Sequence, residues 1–223
     1  MIPLYDTIPG RYRPVMTLTI ITINVVIFFM EITLPPSVLD QLISVYGFTP
    51  SVLTTSRHFI SLFTAMFLHG GWMHIIGNMW ALWLFGNNVE DRMGPWRFLL
   101  FYLVTGFLAS LTHYYINPLS NVPVVGASGA IAGVMGAYFI LYPRARVVTL
   151  IPIIIIPWFV EIPAFIYLGF WVISQIFSGT MSLVTAAAAS TVAFWAHVGG
   201  FAGGMFLHRF FFSPSRNRTG RAF

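Results

Sequence analysis

Six stretches of this chain are so apolar that water is a poor solvent for them, and this constrains the fold more than any other feature. They fall at roughly 15–34, 68–86, 96–116, 128–142, 158–177 and 186–211. About 20 apolar residues cross a bilayer core. In lipid the backbone must satisfy its own hydrogen bonds, which a helix does within itself. The expected fold class is therefore an all-α polytopic membrane protein with six spans in one membrane domain, 1–223. The fourth stretch is short for a span, so its helix is expected to begin below the membrane surface. Composition agrees, since 57% of residues are hydrophobic and 8% charged, against roughly a quarter charged in soluble domains.

The basic residues give orientation. All eleven are Arg. Arg11 and Arg13 precede the first stretch, Arg92 and Arg97 lie between the second and third, and Arg144 and Arg146 follow the fourth. Arg209, Arg216, Arg218 and Arg221 close the chain. With six spans these groups share one side and only Arg57 faces the other, so the positive-inside rule makes both termini cytoplasmic. The net charge of +5 is thus a topology signal rather than a nucleic-acid patch. The first stretch is too long, and lacks the small-residue cleavage site, for a removable signal peptide. The absence of Cys excludes disulfides, thiol catalysis and thiolate metal sites.

Residues 35–67 form the longest connection, expected outside. Val38, Leu39, Leu42, Ile43, Val45 and Phe48 make it amphipathic, as in an element lying in the interface. Gly86 through Pro95 is expected to be a polar cytoplasmic turn. Pro143, Pro152, Pro157 and Pro163 punctuate the region between the fourth and fifth spans, so residues 147–157 are not expected to form one regular helix. Ser178-Gly179-Thr180 begins a short external connection, followed by the small-residue run Ala186 to Ala189.

Two polar residues stand inside glycine-rich apolar segments: Ser128 in Gly126-Ala127-Ser128-Gly129, and His197 in Ala196-His197-Val198-Gly199-Gly200. Serines in spans often bond back to their own helix, so Ser128 alone is weak evidence. His197 lies about 16 Å into its span at 1.5 Å per residue, and an ionisable group at such depth marks a functional site by default. Both spans start outside, and with the fourth beginning below the surface the two residues share a depth and can meet as nucleophile and general base. Gly129, Ala132, Gly133 and Gly136 give one helix a small face, and Ala193, Ala196, Gly200 and Gly204 give the other the same. Such faces let membrane helices approach closely, and ordinary packing explains the glycines without any site. His74 and Asn78, four apart, share a helix face. They supply either donors for a developing oxyanion or a structural bridge between helices, and spacing alone does not choose. His69 falls nearer the external end and suits a cap or loop anchor. None of the six acids, Asp6, Glu31, Asp40, Glu90, Asp91 and Glu161, sits near His197 in sequence or depth, so a hydrolase here is a dyad without an acid.

Together these residues resemble the rhomboid family of intramembrane serine proteases in its compact six-span form, over about residues 10–210 with a basic tail at 211–223. The family's His-x-x-x-Asn pattern is met by His74 and Asn78, its Gly-x-Ser-Gly by Gly126 to Gly129, and its Ala-His-x-x-Gly by Ala196 to Gly200. Glu90-Asp91-Arg92 resembles its Glu-x-Arg element. The resemblance implies a six-helix bundle with a membrane-embedded first external loop and no cofactor or metal. It implies Ser128 as nucleophile, His197 as general base, and His74, Asn78 and the Ser128 backbone N–H as oxyanion hole. The implied partners are transmembrane protein substrates in a lipid bilayer, cut at small residues near the outer boundary. The implied place is a prokaryotic cell (inner) membrane with the active site opening outside, and the fifth span and its following connection become gate and cap. Two positions depart from the pattern. Ser56-Arg57 replaces Trp-Arg, and Ala132 replaces a Tyr that stacks on the histidine, leaving Phe194, Trp195 or another ring to support His197.

Three other readings are weaker on the sequence. A non-catalytic relative that binds membrane clients would be expected to lack Ser128 or His197. A haem or metal protein would pair its histidines, yet His58, His113 and His208 scatter to loops and helix ends, and no His-Glu-x-x-His motif occurs. A transporter would show paired acids or broken helices at the midplane.

Overall fold

The computed structural model describes residues 2–53, 59–153, 156–184 and 192–212. Ser56, Arg57, His58, the run Ala186 to Ala189, and Arg216, Arg218 and Arg221 with nearly all of the tail lie outside the described residues.

Six long helices occupy the six apolar stretches: α1 (Val15–Glu31), α4 (Trp72–Met93), α5 (Pro95–Ile116), α6 (Ser128–Leu141), α7 (Ala164–Val184) and α8 (Phe194–Leu207). Two shorter helices, α2 (Pro36–Tyr46) and α3 (Ser61–Thr64), lie in the first connection. By length and composition α5 and α7 are long and apolar enough to cross a membrane, and α1 and α6 are shorter apolar helices. The outer faces are apolar too. On α7, Phe170, Ile173 and Phe177 are each about two-thirds exposed (66%, 64% and 67%), which a soluble protein avoids and a lipid-facing helix does not.

The expectation of an all-helical chain needs one addition. The connection between α6 and α7 forms an antiparallel hairpin, β2 (Arg146–Ile153) and β3 (Ile156–Pro163), and the N-terminal β1 (Ile2–Asp6) pairs with β2 to give the order β1-β2-β3. Val147 and Val148 face Asp6 and Tyr5 in register, and Arg146 faces Pro163. The fifth helix therefore begins at Ala164 rather than near 158. The β-branched run Val147-Val148-Thr149 suits a pleated strand, and the prolines of this segment break a helix. Trp80 Nε1 donates to the Pro3 carbonyl at 2.6 Å. Asp6 accepts from Tyr138 O–H at 2.5 Å and Asn88 Nδ2 at 2.7 Å, and burial pushes its carboxyl above the usual range.

A second correction concerns Gly86 to Pro95. These residues are not a loop, because α4 runs on to Met93 and the chain reverses at Gly94 alone, whose φ of +81° suits glycine. Pro95 then takes the first position of α5, where its missing N–H has no helical partner to lose. The polar residues that suggest a turn are used in packing. The first residues of α1 follow Pro14, which offers no side-chain cap, so their N–H groups lack partners within the helix. Glu90 supplies them. Its carboxylate accepts the N–H groups of Met16 (2.9 Å) and Thr17 (2.7 Å) and the Thr17 hydroxyl (2.8 Å). Asp91 likewise accepts the N–H groups of Arg11 (2.7 Å) and Tyr12 (3.1 Å). The motif thus ties α1 to the far end of α4.

The tightest packing joins α6 to α8. A Cβ at Gly200 would collide with the carbonyl oxygen of Gly129, one at Gly204 with that of Gly133, and one at Gly136 with that of Phe201. The two backbones touch, as the small-residue faces require.

Glu90→Ala removes three hydrogen bonds to a charged acceptor and is expected to destabilise the protein by about 2–3 kcal/mol. Thermal unfolding in detergent checks this, with Thr17→Val expected to cause a smaller loss. An unchanged midpoint for Glu90→Ala would show that the cap is not structural.

Candidate active site

Ser128 is the first residue of α6, and the chain reaches it through a sharp turn. Gly126 has φ +125°, a conformation L side chains rarely adopt, and a Cβ there would stand 2.6 Å from His74 Nε2. Its N–H donates to the Ala65 carbonyl at 2.8 Å. Glycine is thus required twice, for the backbone angle and for the imidazole beside it.

The two polar residues of the sequence meet. His197 Nε2 lies 2.8 Å from Ser128 Oγ, a distance set by the close contact of α6 and α8. His197 is 9% exposed. Its other ring nitrogen, Nδ1, lies 2.8 Å from Gln175 Oε1 of α7, a residue that sequence analysis missed. The ring that supports His197 is neither Phe194 nor Trp195 but Trp171, also of α7, with centroids 5.8 Å apart and planes at 36°. Trp171 and Gln175 are four residues apart and so share a face. A lone amide in an apolar helix, one turn from a tryptophan, was the available signal.

His74 and Asn78, on the first turns of α4, line the same cavity of about 840 Å³ as Ser128 and His197, together with Gly126 and Gly129. Asn78 Nδ2 lies 3.0 Å from His69 Nε2, and the two histidine rings meet edge-on with centroids 5.2 Å apart. His69 is therefore more than a loop cap, because its ring takes one amide hydrogen of Asn78 and orients the other. The backbone N–H of His69 is held in turn by the buried Glu31 carboxylate at 3.2 and 3.3 Å.

No carboxylate bonds to His197 among the described residues. Glu31, Glu90, Asp91 and Asp6 hold backbone or hydroxyl groups elsewhere, and Glu161 pairs with Arg146 at 3.5 Å on the half-exposed sheet. His113 packs its ring against Phe48, and His208 bonds to the Met205 carbonyl. The described residues contain no group of three or more His, Cys, Asp or Glu able to hold a metal ion.

The sequence model of the Rhomboid domain matches residues 56–214. The chain belongs to the rhomboid family. Its fold is accordingly a helical membrane fold, with residues 1–55 lying outside the matched region. The chain is 33% identical over 125 residues to the rhomboid protease GluP of Bacillus subtilis, covering 56% of this chain and 24% of that protein. It is 39% identical over 80 residues to the putative rhomboid protease YdcA of Bacillus subtilis, covering 36% and 40%. It is also 33% identical over 92 residues to the mitochondrial rhomboid protein 1 of Saccharomyces cerevisiae, covering 40% and 27%. The chain thus spans about a quarter to two-fifths of the length of these relatives.

Gly126→Ala is expected to lower the unfolding midpoint, since the strained angle alone is worth about 1–3 kcal/mol. Gly77→Ala serves as the contrast: a Cβ at this helical position meets nothing within 4 Å, so stability is expected to rise by about 0.5–1 kcal/mol. Equal midpoints for the two variants would contradict this picture of the turn.

Proposed function

We propose that the protein is an intramembrane serine endopeptidase that hydrolyses peptide bonds in or near transmembrane segments of membrane-protein substrates. The observation that carries the reading is the 2.8 Å approach of His197 Nε2 to Ser128 Oγ, in a cavity shared with two further side chains able to donate hydrogen bonds.

In this reading His197 Nε2 takes the Ser128 proton as Oγ attacks the scissile carbonyl carbon. The negative charge that develops on the carbonyl oxygen is received by His74, Asn78 and the Ser128 N–H. That N–H belongs to the first turn of α6, where amides lack helical partners and the dipole favours negative charge. His197 then protonates the leaving amine, and a water activated by the same nitrogen hydrolyses the acyl-enzyme. In a water-poor site such fixed donors are worth more than in bulk solvent.

The wider assignment is part of the same proposal. One membrane domain spans residues 1–223 with six transmembrane helices, both termini are cytoplasmic and the site opens outside. The exposed apolar side chains of α2, Val38 and Val45, suit an embedded first external loop. The family membership supports the membrane location and protease class, and the arginine distribution supports the orientation. A client-binding relative without catalysis is the second reading. It would not need a histidine nitrogen within bonding distance of a serine hydroxyl, and nothing in the site favours it.

Ser128→Ala and His197→Ala are each expected to abolish cleavage of a model transmembrane substrate in reconstituted vesicles while leaving the fold intact. Asn78→Ala is expected to slow turnover by about 10²–10³, the usual loss for one oxyanion donor. Undiminished cleavage by either dyad variant would sink the assignment.

A further inference from the structure

The hydrogen bonds around His197 continue past Gln175, and their direction is fixed at the far end. The Trp171 backbone carbonyl can only accept, so the Ser174 hydroxyl, 2.6 Å away, donates to it. With its one hydrogen committed, Ser174 Oγ is left to accept from Gln175 Nε2 at 3.1 Å. The amide is thereby oriented with Nε2 toward Ser174 and Oε1 toward His197 Nδ1 at 2.8 Å. A carbonyl oxygen cannot donate, so Nδ1 must carry the ring hydrogen. In the neutral imidazole Nε2 then holds a lone pair, and it faces the Ser128 hydroxyl at 2.8 Å. One chain of donors and acceptors, from a backbone carbonyl of α7 to the hydroxyl of α6, leaves a single consistent arrangement of hydrogens.

We infer that Gln175 is the positioning residue of the site, an uncharged third member that holds His197 in the tautomer a general base needs. Its role corresponds in kind to the carboxylate of a charged triad, which orients the imidazole and fixes its tautomer. In a lipid environment an amide does this without the desolvation of a buried charge. Being neutral, it stabilises the transient imidazolium less than an acid would.

The placement of Gln175 adds a second consequence. Ser128 and His197 stand on α6 and α8, whose backbones are in contact. Trp171, Ser174 and Gln175 all stand on α7. The nucleophile and base are therefore mounted rigidly on each other, while the group that fixes the base's hydrogen comes from a third helix. Seating of α7 against α8 becomes a condition for the correct tautomer.

The kinetic part of this inference rests on the protease reading, and the test separates the two. The ring nitrogens of His197 are observed by 15N NMR in detergent micelles of the full chain, selectively labelled at histidine. The wild-type protein is expected to show hydrogen on Nδ1 and an unprotonated Nε2. Gln175→Leu, which keeps the bulk and removes the acceptor, is expected to give a mixture of tautomers. In vesicles the same variant is expected to lower kcat for a transmembrane substrate by about 10- to 100-fold with KM nearly unchanged. This loss is smaller than the roughly 10⁴ that follows when a charged partner is replaced and the tautomer is wrong. Gln175→Glu, which keeps an acceptor oxygen in place, is expected to restore kcat to within a few-fold of wild type. Hydrogen on Nε2 in the wild-type protein would overturn the inference, as would a Gln175→Leu variant with wild-type kcat or a Gln175→Glu variant as slow as the leucine one. A wild-type protein with the expected tautomer but no cleavage would sink the protease reading and leave the positioning role standing.

Discussion

The contact of two backbones, α6 against α8, is the constraint on which the rest of this structure depends. Between apolar helices in lipid the hydrophobic effect supplies little attraction, so close van der Waals packing must hold them. The carbonyls of Gly129, Gly133 and Phe201 occupy the volumes that side chains at Gly200, Gly204 and Gly136 would need. The approach leaves room for nothing larger than hydrogen. Near the N-terminal ends of the two helices the same approach brings His197 Nε2 to within 2.8 Å of Ser128 Oγ. The glycines therefore act through geometry, by fixing where a hydroxyl and an imidazole stand.

Around this pair, α4 works at both of its ends. Its first turns carry His74 and Asn78 into the cavity, with Asn78 steadied by His69 and His69 by Glu31. Its last turns carry Asn88, Glu90 and Asp91, which hold Asp6, the start of α1 and the segment before it. The carboxylates of Glu31, Glu90 and Asp91, which lipid would reject, accept backbone N–H groups inside the bundle. One helix thus ties the N-terminal segment to the cavity that holds Ser128 and His197.

Much of this was legible in the sequence because the strongest signals are local. Each of the six apolar stretches holds a long helix, and the fourth helix begins at Ser128, the first residue of its stretch. Ser128 and His197, improbable guests in apolar helices, proved to be neighbours. The parts that were not legible depend on distant partners. The strands at 146–163 lie in a segment that is apolar almost throughout, so periodicity could not separate strand from helix, and β1, which pairs with β2, lies some 140 residues away in sequence. The polar end of α4 looked like a turn because its side chains serve other elements. Gln175 and Trp171 were not legible for a related reason: they lie on α7, more than 20 residues before His197 in the chain, and only the packing of α7 against α8 brings them to its ring.

Reacting the protein in detergent with a fluorophosphonate and mapping the adduct by mass spectrometry decides whether Ser128 is a nucleophile activated by His197. A single phosphonylated residue, Ser128, is expected, with no adduct in the His197→Ala variant. Modification elsewhere with Ser128 untouched, or equal modification of Ser128 without His197, would contradict that activation.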